Sequence, residues 1–340
     1  MKARRFVSHE PRHLTLEEVD LGPVPRDGVL VENRYTAVSV GTEIYNWIHG
    51  AEPGNKPAFP RTTGYCNSGT VLEVGKDVTS VEPGDRVAGE GRHASHDILT
   101  RRYFKVPPGV PAKAAPLLTM AAIAQHGNRV ARVELGESVV VIGLGLVGQL
   151  ALTLVRLSGG RPVVAIDVDD FRLERARIRG ADLCINPTRV ADVAAAVREA
   201  CVDDGANVVM ECTGRPEVYP MAVRLSSTAG RMVALGSPRG KVEMDFFADM
   251  HLREVRLVGA MQPRTPEQDH VYYRWSKQRE RTMLLQLMAE GSLVVDDLVT
   301  HVVRPPQCRE IYAMLADRPR QVLGVLFDWR ERLAAHGLGK

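Results

Sequence analysis

Apolar and polar positions change their spacing part-way along the chain. Up to Val106 the apolar residues come in short runs, Val29–Asn33, Thr70–Val74, Arg86–Ala88 and Tyr103–Val106. Turn clusters such as Arg26-Asp27-Gly28 and Glu82-Pro83-Gly84-Asp85 separate them. That pattern predicts short strands and a β-rich region. Ala114–Val133 is Ala-rich and predicts a helix, interrupted near Gly127. Strand-like runs at Val139–Ile142, Val163–Ile166, Leu183–Ile185, Asn207–Glu211, Gly230–Leu235 and Val255–Gly259 then alternate with helical stretches. Those stretches start at Gln149 and cover Phe171–Arg179 and Val190–Ala200. Such alternation is the signature of a doubly wound parallel sheet, so the fold class is α/β. The tail holds a helix at Arg281–Glu290, a strand around Leu298–Val303, a helix at Pro306–Ala316 and a strand at Val322–Phe327. These are too few to enclose a core, and they are expected to pack on the N-terminal β region.

The most specific chemistry lies in Val139-Val140-Val141-Ile142-Gly143-Leu144-Gly145-Leu146-Val147-Gly148. A β-branched strand runs into G-x-G-x-x-G and then into an apolar helix. The first glycine allows the tight turn, the second lets backbone approach a pyrophosphate, and the third lets helix lie close to strand. The amides and positive end of the new helix attract the phosphates. A second strand ends in Asp167, about twenty residues beyond the glycines, where the dinucleotide fingerprint places a ribose-binding acid. Gly143, Gly145, Leu146, Val147, Gly148 and Asp167 are therefore assigned to the cofactor.

Composition narrows the partners. The chain has 340 residues, long enough for two domains, with 44% hydrophobic and 25% charged content. A net charge of +3 gives no reason to expect nucleic acid. The basic cluster Arg274, Lys277, Arg279 and Arg281 reads as a solvated helix face, with an anionic substrate as its other use. No stretch reaches the roughly 18 apolar residues of a membrane span, and the start lacks a signal-peptide core. Cys66, Cys184, Cys201, Cys212 and Cys308 form no C-x-x-C pair, which predicts reduced thiols and a cytoplasmic protein.

Four segments together carry a family resemblance. They are Val38-Ser39-Val40-Gly41-Thr42-Glu43, the Thr63–Gly75 stretch with its spaced glycines, Val81-Glu82-Pro83-Gly84-Asp85-Arg86-Val87, and the Gly143 loop. On these the chain resembles the medium-chain dehydrogenase/reductase superfamily, with the alcohol-dehydrogenase-like fold, over essentially its whole length. The resemblance implies a GroES-like β-rich catalytic domain over residues 1–118 with 278–340, and a Rossmann domain over 119–277. It also implies a homodimer or homotetramer. Zinc-dependent relatives place a Cys in the first segment and a His-Glu pair in the second; here those places hold Val40, Tyr65 and Cys66. Valine is no ligand and tyrosine a poor one for zinc. The four closely spaced cysteines of the family's structural-zinc lobe are also missing, with none in Gly89–Leu99. No metal is expected.

Without a Lewis acid, a side chain must handle the hydroxyl proton while the cofactor takes the hydride. The resemblance places Tyr45 where relatives often carry a relay histidine, Thr42 at the usual hydroxyl-relay position and Tyr65 in the cleft. Tyr45 or Tyr65 is expected to transfer the proton, with Thr42 linking it to substrate or ribose. Glu43, His49, His93 and His96 are candidate substrate contacts, although Glu43 also reads as an ion pair holding its loop. His126 and His301 read as structural. Asn46, Asn67, Ser68, His93 and His96 suggest a polar lining suited to a sugar.

Asp167 opposes a 2′-phosphate and so favours NAD over NADP, while Arg172 just beyond it suits either a phosphate or the adenine. Thr119 is expected near the nicotinamide. Cys212, Thr213, Gly236, Ser237, Ala260 and Met261, at strand ends, complete the expected cofactor contacts. The leading expectation is an NAD-dependent, zinc-independent dehydrogenase that oxidises a secondary hydroxyl of a sugar, nucleotide sugar or aminoglycoside. The resemblance to dehydrogenases of aminoglycoside pathways places it in secondary metabolism. The alternatives are an NAD(P)H-dependent enone or quinone reductase, a dehydrogenase of the hydroxyethyl group on a bacteriochlorophyll precursor, and a cofactor-binding protein without turnover.

Overall fold

Strands buried on both faces must be apolar throughout, and Val139–Ile142 and Val163–Ile166 meet that demand with every residue buried. The computed structural model describes residues 1–317 and 319–330. Among these, 119–298 and 319–323 form one unit and 1–118, 299–317 and 324–330 form another.

The first of these units holds a six-stranded parallel sheet. Its order is Leu183–Ile185, Val163–Ile166, Val139–Ile142, Ala206–Glu211, Ser226–Ala234, Arg256–Gly259. Strand order thus reverses beside Val139–Ile142, and in such sheets ligands bind beyond the strand ends at that reversal. The helix Leu146–Leu157 begins directly after Gly145 and contains Gly148, starting three residues earlier than expected. The helix Leu118–Ala131 runs unbroken through Gly127. Glycine is there for packing: a Cβ would stand 2.9 Å from Leu235 Cδ1. The helix Lys277–Ala289 belongs to this unit, so the boundary drawn at 278 moves to 298/299.

That helix also changes the reading of the basic cluster. Lys277 and Arg281 are buried, with Lys277 Nζ bound to Glu267 at 2.5 Å. Glu280 is fully buried, and neither of its oxygens receives a hydrogen bond. Its nearest cation, Arg129 at 3.7 Å, lies 3.4 Å over the Trp275 ring. Burial pushes the Glu280 carboxyl up to about 7, with Arg129 and Arg281 opposing. A carboxyl raised on folding adds stability in full only below its unfolded value, and that stability is lost as pH rises through about 7. Urea unfolding is expected to show a loss on the order of 3 kcal/mol between about pH 5 and pH 8.5. In Glu280→Gln that slope disappears; an unchanged slope would place the titration elsewhere.

The β-rich unit contains a seven-stranded sheet. Val299–Val303, Gly324–Asp328, Val29–Ala37, Asn67–Val74, Arg86–Gly89 and Tyr103–Lys105 lie in that order, and His96–Leu99 also pairs with Val29–Ala37. A smaller sheet joins His13–Asp20, Lys2–Glu10 and Arg61–Thr62. The tail packs here as expected: Leu326, Phe327 and Asp328 pair with Ala37, Thr36 and Tyr35. Phe6 meets Phe327 edge-on at 4.8 Å and Trp329 at 5.3 Å, forming an aromatic core beside the helix Val40–His49.

Candidate active site

The helix Val40–His49 begins at Ser39, whose side chain does not cap it. The Glu43 carboxylate reaches back instead, and its Oε1 accepts from the Ser39 amide at 2.7 Å. This leaves the Ser39 hydroxyl to accept from the hydroxyl of Tyr65. Thr42, on the first turn, also hydrogen-bonds the Tyr65 side chain. Three hydroxyls, of Ser39, Thr42 and Tyr65, therefore meet where the resemblance put the proton chemistry. Burial, with Cys66 and Glu43 adding to it, raises the Tyr65 phenol above the ordinary tyrosine value. Tyr65 is thus a neutral hydroxyl at physiological pH.

The structure separates the remaining candidates. Tyr45 is half-buried, with its ring 4.4 Å from that of the exposed His49. His93 is fully buried: Nδ1 lies 2.7 Å from Thr36 Oγ1 and Nε2 lies 2.9 Å from Glu43 Oε2. Glu43, itself buried, also accepts from the Tyr312 hydroxyl at 2.6 Å. As substrate contacts, Glu43 and His93 are corrected to interior groups whose polar atoms are spent on protein. The same holds for Asn67, which bonds Asn33 and the Gly91 amide, and Ser68 is buried too. His96 lies beside Ser95 and lines a separate open cavity of about 640 Å³ with Arg4, Glu32, Arg34 and Trp329. Ser39, which the sequence offered only as part of its segment, and Tyr312 were not read as site residues, and Tyr312 stands 269 residues from its partner Glu43.

In the parallel-sheet unit the glycine loop has the shape a dinucleotide needs. Gly143 has φ +86°, and a Cβ there would meet Thr213 Cγ2 at 2.5 Å. A Cβ on Gly148 would stand 1.9 Å from the Gly143 carbonyl oxygen, so helix and strand pack only through glycine. Gly145 differs: its φ is −63° and nothing lies within 4 Å of a Cβ built there. No neighbour in the chain demands glycine at 145, which leaves room for a phosphate group against the amides of Leu146 and Val147. These residues fit a dinucleotide, which supplies a hydride acceptor when bound.

Around the loop, Asp167 Oδ2 accepts from the Leu144 amide at 2.6 Å and Oδ1 from the Asp169 amide at 2.9 Å. Arg172 stands 3.9 Å from Asp167 and 3.7 Å from Asp169, held between two carboxylates. Glu211, fully buried at the end of its strand, accepts from the amides of Thr213 and Gly214 and so shapes the Cys212–Thr213 turn. Burial drives the Glu211 carboxyl above its ordinary range. A Cβ on Gly236 would meet the Gly214 amide at 2.3 Å, which places Gly236 and Ser237 against this turn. Ala260 and Met261 follow the edge strand, and Met261 is exposed. Thr119 is buried on its helix. His126 is packed, with Nδ1 3.2 Å from Thr265 Oγ1, and burial lowers its pKa. His301 sits on Val299–Val303 beside Thr300.

Zinc would require three donors where the chain offers a hydrocarbon at Val40, a phenol bonded to Ser39 and Thr42 at Tyr65, and the buried Cys66. That donor set does not fit the metal. Among the described residues no three His, Cys, Asp or Glu groups converge to hold an ion. Nor is any described helix long and apolar enough to cross a membrane.

Known proteins agree with this architecture. Residues 25–110 match the alcohol dehydrogenase GroES-like domain and residues 147–276 the zinc-binding dehydrogenase domain. The chain is 28% identical to D-guloside 3-dehydrogenase of Escherichia coli K12, over 95% of this chain and 100% of that protein. It is 30% identical to L-threonine 3-dehydrogenase of Caldanaerobacter subterraneus, over 70% of this chain and 76% of that protein. A crystal structure of an E. coli oxidoreductase of unknown specificity superposes with a TM-score of 0.85, at 20% identity, over 96% of this chain and 99% of that one. The chain belongs to the medium-chain, alcohol-dehydrogenase-like family, whose members depend on a pyridine nucleotide. It is an oxidoreductase acting on CH–OH groups.

Proposed function

We propose that this enzyme is an NAD-dependent dehydrogenase that oxidises a secondary hydroxyl of a sugar, nucleotide sugar or aminoglycoside to a ketone without zinc. The observation that carries the reading is the cluster of Tyr65, Thr42 and Ser39 hydroxyls in the place of a metal's donors. The Tyr65 hydroxyl donates to Ser39 and, with Thr42 on one lone pair, keeps the other for an incoming alcohol. As hydride leaves the carbinol carbon, the alcohol proton passes to Tyr65, the phenol proton passes to Ser39, and the Ser39 hydroxyl releases its own proton to solvent, so that each oxygen ends with one proton. The phenol is held above its ordinary value, so this is a relay through a neutral hydroxyl, and no phenolate is needed. A sugar is favoured because a relative aligned over 95% of this chain is named D-guloside 3-dehydrogenase. NAD is favoured because Asp167 and Asp169 occupy Arg172, which leaves acid, not base, at the end of the second strand.

The edge strand Arg256–Gly259 and exposed Leu257, Phe246, Phe247 and Met261 support assembly as a homodimer or homotetramer. The five free cysteines support a reducing, cytoplasmic setting, and a place in secondary metabolism follows from the aminoglycoside resemblance. Incubation with NAD or NADP against aminoglycosides, nucleotide sugars, cyclitols and L-threonine tests the proposal through absorbance of the reduced cofactor. NADH formation with a sugar-ring alcohol is expected. Turnover confined to NADP, or to L-threonine, would reject the assignment.

A further inference from the structure

The interior network behind Tyr65 runs from an indole donor to one carboxylate. Trp329 is a donor only, and its Nε1 donates to Thr36 Oγ1 at 2.9 Å. The Thr36 hydroxyl lies 2.7 Å from His93 Nδ1, and on the other side of the ring Nε2 carries a proton, because the carboxylate it faces only accepts. That proton goes to Glu43 Oε2, which accepts the Tyr312 hydroxyl as well. The Ser39 amide fills Oε1. Burial works against the Glu43 charge, but His93, Tyr312 and the Ser39 amide outweigh it and hold the carboxyl below its ordinary range. One ionised carboxylate thus ties the aromatic core to Ser39. Ser39 in turn starts the helix that carries Thr42 and accepts from Tyr65.

We propose that Glu43, His93 and Tyr312 are positioning residues for the Tyr65 hydroxyl, acting through Ser39 and touching neither substrate nor cofactor. The proposal rests on the reading of Tyr65 as the proton-handling group. Its reasoning is one of donor count. In Glu43→Gln the one carbonyl oxygen stays with His93 Nε2–H and Tyr312 O–H, and the amide nitrogen, itself a donor, is turned against the Ser39 N–H, which loses its acceptor. The Ser39 backbone is then released, and the acceptor of Tyr65 with it. Tyr312→Phe removes a single oxygen and leaves the packing in place. The groups facing the Tyr65 phenol are Glu43, Cys66 and the hydroxyls of Ser39 and Thr42, and of these Glu43 is the one whose charge the substitution removes.

The test uses the full chain with tyrosine labelled at Cζ, followed by NMR through a pH titration, the Tyr65 signal being assigned with Tyr65→Phe. In the wild type the signal is expected to stay that of a phenol past pH 10. In Glu43→Gln it moves and titrates at lower pH, and in Tyr312→Phe it moves by less. In the same proteins kcat is expected to fall on the order of 10² for Glu43→Gln and about tenfold for Tyr312→Phe, with KM for the cofactor unchanged. If Glu43→Gln does not fold, Tyr312→Phe carries the decision. A Tyr65 signal that keeps its position and titration in the folded variants overturns the proposal. The spectroscopic result needs no turnover, so failure to find a sugar substrate would remove the functional reading and leave this one to be decided separately.

Discussion

Tyr65→Phe is expected to lower kcat by about 10²–10⁴ while the chain stays folded and binds cofactor as before. The substitution removes one oxygen, and with it the donor to Ser39, the partner of Thr42 and the acceptor proposed for the alcohol proton. Tyr45→Phe is the matched control. Its ring packs on His49, and kcat is expected to stay within about twofold. The sequence left the two tyrosines equal, and the proposed relay chooses Tyr65. A reversed outcome, with Tyr45→Phe inactive and Tyr65→Phe active, would move the proton path to the outer face of the helix Val40–His49. Because burial holds the Tyr65 phenol above its ordinary value, no alkaline loss of rate from this group is expected below pH 10.

The second large effect concerns two glycines of one loop, which should fail for different reasons. Gly148→Ala drives a Cβ into the Gly143 carbonyl, a backbone atom that can yield only if the whole turn shifts. Overpacking of this kind typically costs about 1–3 kcal/mol, and cofactor affinity is expected to fall with stability. Gly145→Ala meets nothing in the unliganded chain, and its backbone angle suits any residue. Its unfolding midpoint should match the wild type, yet cofactor affinity should fall by about 10² because the methyl group occupies the space kept for phosphate. Calorimetric titration with NAD beside urea unfolding separates the two. A Gly145→Ala protein that binds NAD normally would show that the open space has another use.

These contrasts show what the sequence made legible. Parallel strands covered on both faces read as unbroken apolar runs, so Val139–Ile142, Val163–Ile166 and Leu183–Ile185 were found to the residue. The β hairpin Lys2–Glu10 with His13–Asp20 was missed, because charged residues fill its outward positions and few apolar ones mark its inner face. The helix Val40–His49 passed for a loop, since its start is fastened by a glutamate one turn on and not by a capping side chain of its first residue. Gly127 looked like a break because its packing partner, Leu235, is distant in sequence. At the site, residue type misled in one direction. Polar His93, Glu43 and Asn67 suggested a lined pocket, but each is buried by partners far away in the chain. No local pattern announces a hydrogen bond between Glu43 and Tyr312.

In the proposed reaction the nucleotide takes the hydride and protein hydroxyls handle the alcohol proton, where zinc-dependent relatives use a metal. Its most direct test is to measure bound metal and NAD reduction in one preparation, before and after exhaustive chelation. No stoichiometric zinc and an unchanged rate are expected. Zinc at one ion per chain, with activity lost on its removal and restored by zinc alone, would contradict it.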